Sequence, residues 1–397
     1  MIEAGQFVEA ARKHGFAWYT GVPCSFLTPF INYVLQDPTL HYLSAANEGD
    51  AVAIAAGATL GEGAGAGARA VTMMQNSGLG NAVSPLTSLT WTFRLPQLLI
   101  VTWRGQPGIT DEPQHALMGP ITPAMLDLME VPWELFPTEP EAIAPALARA
   151  VRHMDETGRP YALVMQKGSV APYPLQPAER PMRPAQPAPV ALTRGVAPSA
   201  LPTRRDALAR VIAHTPLEGT VVLASTGFCG RELYALDDRA NQLYMVGSMG
   251  CVTTLALGLA LARPDLRVVA LDGDGAALMR MGAFATLGAY GPSNLLHLLL
   301  DNASHDSTGA QATVSPTVSF AGVAAASGYA LALEGDTLEV VEQLFDGRTA
   351  SLNDGPRFAC LTTRPGTPDG LPRPKVTPEA VKSRLMDHIA QRERASA

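Results

Sequence analysis

The sequence has no apolar run of about 18 residues, the length that a transmembrane helix needs, and no long run of basic residues. We therefore expect no membrane span and no nucleic-acid partner, since binding a phosphate backbone needs clustered positive charge. The first five residues contain neither a basic nor an apolar segment, so we expect no secretory signal. Charged residues are only 16% of the 397 and hydrophobic residues 47%, which excludes a disordered or coiled-coil chain.

Cysteine is also scarce. The four cysteines, Cys24, Cys229, Cys251 and Cys360, are far apart, and no C-x-x-C pair is present. This spacing argues against a zinc ribbon and against a thioredoxin-type redox site. We expect reduced, packed thiols in a cytoplasmic protein. The net charge of −7 still permits a local site for a small anionic ligand.

Proline is concentrated in one segment. Residues 171–203 contain nine prolines and little apolar periodicity, a composition typical of an extended linker. The linker predicts two domains, 1–170 and 204–365, followed by a tail, 366–397, that carries an exposed amphipathic helix. In both halves Ala-rich helical segments alternate with continuous apolar strands, which indicate parallel sheets buried on both faces. We predict an α/β fold with two domains, each a parallel sheet flanked by helices.

The strongest motif follows two of the predicted strands. The strand Leu266–Asp272 runs into Gly273-Asp274-Gly275, and 26 residues separate this turn from Asn302, which follows the strand Leu295–Asp301. Open α/β sheets bind ligands at the carboxyl ends of their strands. A carboxylate, an amide oxygen and the backbone carbonyl of Ser304 are ligands that Mg²⁺ prefers. The glycines allow close approach of a diphosphate, and the next helix N-terminus favours its charge.

This motif resembles the cofactor signature of thiamine diphosphate-dependent enzymes. In that family the aspartate and the asparagine, here Asp274 and Asn302, hold Mg²⁺, which bridges the diphosphate. The resemblance therefore implies thiamine diphosphate (ThDP) and Mg²⁺ as cofactors, bound by two ThDP-binding domains. It also implies a glutamate that hydrogen-bonds N1′ of the pyrimidine, and Glu48 matches that position. The alternative for Glu48 is a carboxylate that stabilises a helix N-terminus.

The resemblance extends to further cofactor contacts. Met249 matches the apolar side chain that supports the bent cofactor, although a core methionine would fit the same pattern. The other cofactor-binding residues that the resemblance implies are Asn76, Thr226, Gly227, Gly247, Gly273 and Gly275.

The length of the chain narrows the subfamily. Many decarboxylases and carboligases of this family have a third, central domain, and here only the proline-rich segment stands in its place. The two-domain form and the segments 111–115 and 304–309 are similar to those of phosphonopyruvate decarboxylases. Sulfopyruvate decarboxylases are the next most similar group. Ala303 and Ala310 stand where the phosphonopyruvate group more often has glycine, a departure that concerns the geometry of this loop and not the metal ligands. The similarity implies decarboxylation of 3-phosphonopyruvate, a small anionic 2-oxo acid, to phosphonoacetaldehyde and CO₂ in phosphonate biosynthesis.

Four catalytic residues are implied: Glu48, Ser25, His115 and His305. Ser25 resembles a substrate-facing serine, and the two histidines are candidates for proton transfer, anion binding or loop-orienting hydrogen bonds. Weaker candidates for the anionic group of the substrate are Arg104, Gln114 and Arg280. Because members of the family complete each active site across a subunit interface, the resemblance implies a homodimer or a homotetramer.

Several alternatives stay open. Sulfopyruvate decarboxylation or a carboligase reaction would use the same cofactor and is distinguished by substrate turnover. A protein that binds ThDP without catalysis would bind it equally well after Glu48→Gln and would release no CO₂. An α/β protein of another kind would show no Mg²⁺-dependent binding of ThDP.

Overall fold

The computed structural model describes residues 1–62, 69–176, 190–191, 195–346 and 355–396. The chain forms two compact units, Met1–Pro181 and Met182–Ala397. Nearly half of the predicted linker 171–203, namely 177–189 and 192–194, lies outside the described residues.

The first unit is built on a six-stranded parallel sheet. Its strands are β1 (Phe16–Gly21), β2 (His41–Ser44), β3 (Arg69–Gln75), β4 (Leu98–Thr102), β5 (Trp133–Leu135) and β6 (Tyr161–Met165). They lie in the order β2-β1-β3-β4-β6-β5. Its helices are α1 (Ala4–Arg12), α2 (Thr28–Gln36), α3 (Glu48–Gly61), α4 (Leu79–Pro85), α5 (Trp91–Phe93), α6 (Met118–Leu128) and α7 (Pro140–Thr157).

Helix α3 shows how local sequence places a candidate residue. The side chain of Asn47 accepts a hydrogen bond from the backbone N–H of Gly49 at 2.8 Å, so Asn47 caps the helix. The Ala-rich sequence that follows is buried on almost every side of the helix. Cap and burial together place Glu48 in the first helical turn, just beyond the carboxyl end of β2.

The second unit contains a parallel sheet of seven strands. These are β7 (Val190–Ala191), β8 (Thr220–Ala224), β9 (Gln242–Tyr244), β10 (Arg267–Gly273), β11 (Leu295–Asp301), β14 (Leu331–Gly335) and β15 (Arg357–Thr362), and a short antiparallel hairpin is formed by β12 (Ser304–His305) and β13 (Gln311–Ala312). The order in the sheet is β7-β14-β15-β11-β10-β8-β9. The helices are α8 (Arg204–His214), α9 (Phe228–Leu236), α10 (Val252–Ala262), α11 (Asp274–Met279), α12 (Gly282–Tyr290), α13 (Phe320–Ala326), α14 (Glu339–Phe345) and α15 (Pro378–Ser396).

The two sheets share one topology once β7 is set aside. In each, the second strand pairs with one side of the first, and the third strand pairs with the other side. The strand order therefore reverses its direction across the sheet, and the reversal lies between β1 and β3 in the first unit and between β8 and β10 in the second. Ligands of open α/β sheets bind outside the carboxyl ends of the strands at such points. The predicted fold class, α/β with a parallel sheet in each half, is confirmed.

Two features differ from the sequence interpretation. Seven of the described strands were not identified from the sequence: β5, β7, β9, β12, β13, β14 and β15. The C-terminal helix α15 was expected to be exposed, but Val381, Leu385 and Ile389 on one face are buried. Arg384 on this helix pairs with Asp238 at 2.6 Å, so α15 is packed on the second unit. No helix in the described part of the chain is long and apolar enough to cross a membrane.

The centre of the second sheet offers a test of this architecture. Leu298 lies in β11 between β10 and β15 and is fully buried. We expect Leu298→Ala to lower the free energy of unfolding by about 2–5 kcal/mol, because a cavity remains. The control Leu217→Ala removes the same atoms from a side chain that is 48% exposed, and it should cost less than about 0.5 kcal/mol. Urea unfolding followed by circular dichroism measures both, and equal midpoints would contradict the central position of β11.

Candidate active site

A cleft lies at the carboxyl ends of β8, β10 and β11 in the second unit. It brings together nine of the residues predicted from the sequence: Thr226, Gly227, Met249, Gly273, Asp274, Gly275, Asn302, Ser304 and His305. Gly247 belongs to the same loop as Met249 but does not line the cleft. The cleft occupies the position between β8 and β10 where the direction of the strand order changes.

Strand pairing explains why Asp274 and Asn302 are neighbours. In the register between β10 and β11, Gly273 pairs with Leu300, so the chain leaves both strands at nearly the same height. Asp274 is the first residue after β10, and Asn302 is the first after β11. Two oxygen-bearing side chains that are distant in sequence therefore meet at one edge of the sheet.

Asp274 is a buried carboxylate with one oxygen already engaged. Its Oδ2 accepts a hydrogen bond from Thr313 Oγ1 at 2.6 Å. Burial raises the pKa of the Asp274 carboxyl above its ordinary value, while the hydrogen bond from Thr313 opposes that shift. A cation bound here would offset the cost of burying this charge.

Asn302 is held by hydrogen bonds at both ends of its amide group. Its Oδ1 accepts from the backbone N–H of Ser304 at 3.1 Å, and its Nδ2 donates to Asp306 Oδ2 at 2.7 Å. The hydroxyl of Ser304 is buried at the cleft and has no hydrogen-bond partner among the described residues. In the same described ranges, no cluster of three His, Cys, Asp or Glu side chains offers a metal site.

Two glycines keep the cleft open for a ligand. Gly227 has a φ of +94°, a conformation that other residues rarely adopt, and it begins α9 without a side chain to cap the helix. The first N–H groups of α9 therefore have no side-chain cap, which suits a phosphate. At Gly275 a Cβ would lie 2.5 Å from Cε1 of His305 and 3.2 Å from Cε of Met249. Together with one carboxylate and one amide oxygen, these features fit a diphosphate bound with a divalent cation.

The loop after Asn302 contains two alanines in the left-handed region. Ala303 has a φ of +54° and Ala310 a φ of +62°. These are the positions where the sequence departs from the glycine that resembling proteins more often have. The backbone keeps a conformation that glycine adopts more readily, and it does so at some cost in strain.

Two charged residues of the cleft were not identified from the sequence as functional. Arg204 Nη1 donates to Glu232 Oε1 at 2.7 Å, and its Nη2 donates to Asp306 Oδ2 at 2.6 Å. Asp306 Oδ2 also accepts from Asn302 and from the backbone N–H of Gly366 at 3.1 Å. One signal pointed to Arg204: it lies in the first turn of α8, where the helix dipole disfavours positive charge.

A buried polar chain behind the cleft also escaped prediction. Asp272 lines the cleft, and its Oδ1 accepts a hydrogen bond from the backbone N–H of Gly273 at 2.9 Å. His297, buried within β11, has its Nε2 at 3.5 Å from Asp272 Oδ2. Its Nδ1 lies 3.3 Å from the hydroxyl of Tyr329. The only sequence signal was a histidine within an otherwise apolar strand.

All four cysteines are free and buried, in agreement with the expectation of packed thiols. Cys229 lines the cleft, and burial raises the pKa of its thiol to about 12. The Cys229 side chain is therefore a neutral group at physiological pH.

In the first unit, Glu48 lies at the carboxyl edge of the sheet. Its side chain is half-buried, and its Oε2 accepts a hydrogen bond from Asn81 Nδ2 at 2.8 Å. Asn76, which follows β3, is fully buried, and its Nδ2 donates to Arg104 O and to Thr122 Oγ1, both at 2.8 Å. The Asn76 side chain is thus engaged within the unit.

The other predicted residues of the first unit have different surroundings. Ser25 is exposed and lines a separate cavity that Lys167 and Tyr173 also line. His115 is only 4% exposed, and its buried Nδ1 has no hydrogen-bond partner among the described residues. The first unit therefore does not gather Ser25, His115 and Glu48 into one cavity.

Arg104, a weaker candidate for anion binding, is already paired. Its Nε donates to Asp111 Oδ2 at 2.8 Å and its Nη2 to Asp111 Oδ1 at 2.5 Å, and the guanidinium carbon lies 5.1 Å from the centre of the Phe26 ring. The hydrogen bonds from Arg104 hold the pKa of the Asp111 carboxyl well below its usual range. The pair is thus a structural clamp of the loop that contains His115.

The Arg104–Asp111 pair predicts a pH-dependent stability. A lowered pKa means that Asp111 stabilises the folded state above the unfolded-state pKa of about 3.9, and that this contribution disappears as the pH falls through the folded-state pKa. Asp111→Asn should therefore lower the urea midpoint at pH 7, and the difference from the wild type should shrink at pH values below about 4. The control Asp155→Asn removes a more exposed partner of Arg69 and should have little effect at either pH. A constant deficit for Asp111→Asn from pH 7 to pH 3 would contradict the role of its charge.

Comparison with known proteins agrees with the cofactor motif. Residues 230–353 match the family described as thiamine pyrophosphate enzyme, C-terminal TPP binding domain. Among solved structures, the thiamine diphosphate-dependent 4-hydroxybenzoylformate decarboxylase of Rhodococcus jostii RHA1 gives a TM-score of 0.67 at 14% identity, with 92% of this chain and 99% of that chain covered. At this identity the likeness concerns the fold alone.

Sequence similarity to curated proteins runs along almost the whole chain. The phosphonopyruvate decarboxylase of Streptomyces viridochromogenes is 46% identical over 385 residues, 97% of this chain and 94% of that protein. The phosphonopyruvate decarboxylase of Streptomyces hygroscopicus is 42% identical over 397 residues, 100% and 96% of the two chains. The sulfopyruvate decarboxylase of Methanosarcina acetivorans is 30% identical over 318 residues, 77% of each. The resemblance seen in the motifs is thereby confirmed, and the chain belongs to the phosphonopyruvate decarboxylase family of thiamine diphosphate-dependent enzymes.

Proposed function

We propose that this protein decarboxylates 3-phosphonopyruvate to phosphonoacetaldehyde and CO₂, with ThDP and Mg²⁺ as cofactors, in phosphonate biosynthesis. The observation that carries the proposal is the meeting of Asp274 and Asn302 at the ends of β10 and β11, in a cleft that Gly227 and Gly275 keep open. The near full-length similarity to two phosphonopyruvate decarboxylases supports the choice of substrate.

The metal ligands of the proposal are Asp274, Asn302 and the backbone carbonyl of Ser304. Asp274 Oδ2 accepts a hydrogen bond from Thr313, and the backbone N–H of Gly275 also donates to this carboxylate. A carboxylate has about four acceptor positions, so the group can still bind a cation. An oxygen set of this kind suits Mg²⁺, whose remaining positions would be filled by phosphate oxygens and water. The diphosphate contacts are assigned to Thr226, Gly227, Gly273 and Gly275, and the further cofactor contacts to Asn76, Gly247 and Met249.

The protein residues bind the cofactor, orient the substrate and protonate the product. ThDP, when bound, accepts the electron pair that the departing CO₂ leaves behind. Glu48 is assigned to hydrogen-bond N1′ of the pyrimidine, and in the first turn of α3 its carboxylate is held by Asn81. His305, whose ring lies beside Gly275, is a candidate to deliver a proton to the product or to bind the anionic group. Ser25 is assigned to face the substrate, and His115 is a second candidate for proton transfer or anion binding.

Domain roles and assembly follow from the same proposal. We assign residues 1–170 to the pyrimidine-binding domain and 204–365 to the diphosphate- and Mg²⁺-binding domain, joined by 171–203 and followed by the tail 366–397. The residues assigned to the pyrimidine end and to the diphosphate end of one cofactor belong to different units. A homodimer or homotetramer with active sites at the subunit interface is consistent with this division. Four free, buried cysteines fit a cytoplasmic protein.

The alternative is decarboxylation of sulfopyruvate, which carries a sulfonate where phosphonopyruvate carries a phosphonate. The similarity to the sulfopyruvate decarboxylase of Methanosarcina acetivorans is the observation in its favour. The two substrates differ in the charge of this group, so the protein residues that face it decide between them.

Substrate turnover tests the proposal directly. We expect purified protein with ThDP and Mg²⁺ to release phosphonoacetaldehyde, and kcat/KM for phosphonopyruvate to exceed that for sulfopyruvate by at least about tenfold. A dehydrogenase-coupled assay measures the aldehyde, and EDTA should stop turnover until Mg²⁺ is restored. Absence of turnover with phosphonopyruvate would sink the proposal, and a preference for sulfopyruvate would establish the alternative.

A second experiment tests the role of Glu48. We expect Glu48→Gln to lower kcat by about 10²–10⁴-fold, because the amide cannot supply the charged hydrogen bond at N1′. The affinity for ThDP, measured by quenching of tryptophan fluorescence, should change far less. Glu156→Gln, on the exposed face of α7, is the matched control and should leave both quantities unchanged. If Glu48→Gln behaves like this control, Glu48 stabilises only the helix N-terminus.

A further inference from the structure

The proposed metal site makes a demand on the amide group of Asn302. An asparagine holds Mg²⁺ only through its carbonyl oxygen, because the amide nitrogen is a donor and has no lone pair to offer. The two orientations of the amide have nearly the same shape. A cation site that uses Asn302 therefore depends on whatever selects the orientation with Oδ1 available.

Two contacts select this orientation: the backbone N–H of Ser304 donates to Asn302 Oδ1 at 3.1 Å, and Asp306 faces the amide nitrogen. Asp306 Oδ2 lies 2.7 Å from Asn302 Nδ2, at hydrogen-bond distance. A carboxylate only accepts hydrogen bonds, so a flipped amide would place two oxygens against each other at this distance. The Asp306 side of the contact is shielded from solvent, since the side chain of Asp306 is only 6% exposed, so water compensates little for a lost hydrogen bond there.

Asp306 is itself fixed by two further donors. Arg204 Nη2 donates to the same oxygen at 2.6 Å, and the backbone N–H of Gly366 donates to it at 3.1 Å. Arg204 is in turn held by Glu232, whose side chain is 1% exposed. Hydrogen bonds between charged groups are short and strong, so this buried cluster resists displacement of the Asp306 carboxylate.

We propose that Asp306 is a positioning residue of the metal site: it holds the amide of Asn302 with its oxygen available to the cation, and Arg204 holds Asp306 in place. The inference rests on the proposed Mg²⁺ site. Loss of an outer hydrogen-bond partner of a metal ligand commonly weakens metal binding by about 10–100-fold. We expect a loss in that range when Asp306 no longer constrains Asn302.

The test measures metal affinity rather than turnover. Mn²⁺ replaces Mg²⁺ as the probe, and its dissociation constant is obtained from the electron paramagnetic resonance signal of free Mn²⁺ at a fixed, saturating concentration of ThDP. Asp306→Leu, which removes every acceptor oxygen facing Asn302 Nδ2, should raise the dissociation constant by about 10–100-fold. Asp238→Leu is the matched control, because Asp238 is also paired with an arginine, Arg384, but lies away from the cleft. It should leave the dissociation constant unchanged.

A second background separates positioning from a general structural effect. In Asn302→Asp the ligand has two equivalent oxygens and no orientation to select, so Asp306 no longer has a positioning task. In that background Asp306→Leu should leave Mn²⁺ affinity unchanged or raise it, since one of two facing carboxylates is removed. A structural defect would instead weaken binding equally in both backgrounds.

The outcomes distinguish the inference from the proposed function. Wild-type protein that binds no Mn²⁺ with ThDP would overturn the proposed metal site itself. Wild-type binding that Asp306→Leu leaves intact, or that it weakens equally in both backgrounds, would overturn the positioning role alone. If Asp306→Leu does not fold, as judged by circular dichroism, the comparison uses Asp306→Glu, which keeps the charge beside Arg204 but displaces the carboxylate. The same reversal between backgrounds is expected.

Discussion

The hydrogen-bonded register between β10 and β11 is the constraint on which the candidate site depends. It pairs Gly273 with Leu300, and so it delivers Asp274 and Asn302 to the sheet edge as neighbours. Both strands are buried over nearly their whole length, so a slip by one residue would exchange the side chains of the two faces and disrupt the core on each side. The packing of apolar residues that never touch a ligand therefore determines the distance between the proposed metal ligands.

The two units use the same strand order for different chemistry. In each, the turn after the second strand leads into a helix that is buried on almost every side, α3 in the first unit and α10 in the second. Glu48 is the first residue of α3, and Met249 lies three residues before α10. The start of the corresponding helix thus carries a carboxylate in the first unit and follows a flexible thioether in the second.

The sequence predicted those parts of the molecule that depend on local pattern. Continuous apolar strands indicated parallel sheets, and Gly273-Asp274-Gly275 with Asn302 identified the cleft. Strands of three residues such as β5 and β9 were missed, because they are too short to show a period. The Asp306–Arg204 pair was missed for another reason: its partners are 102 residues apart, and no local pattern records their meeting. Arg104 was considered for anion binding, and only the folded loop shows that Asp111 already occupies its guanidinium.

Ala303 and Ala310 enclose the loop that starts at Asn302, and both have a positive φ. An alanine in this region costs about 1–2 kcal/mol relative to the right-handed conformation, whereas a glycine would adopt it freely. Alanine also has fewer conformations available than glycine, so the loop has fewer alternatives to its folded shape. A loop with fewer alternative conformations would lose less conformational entropy on binding the proposed cation. The two alanines therefore lower the stability of the fold, whereas the rigidity that they give to the loop favours binding.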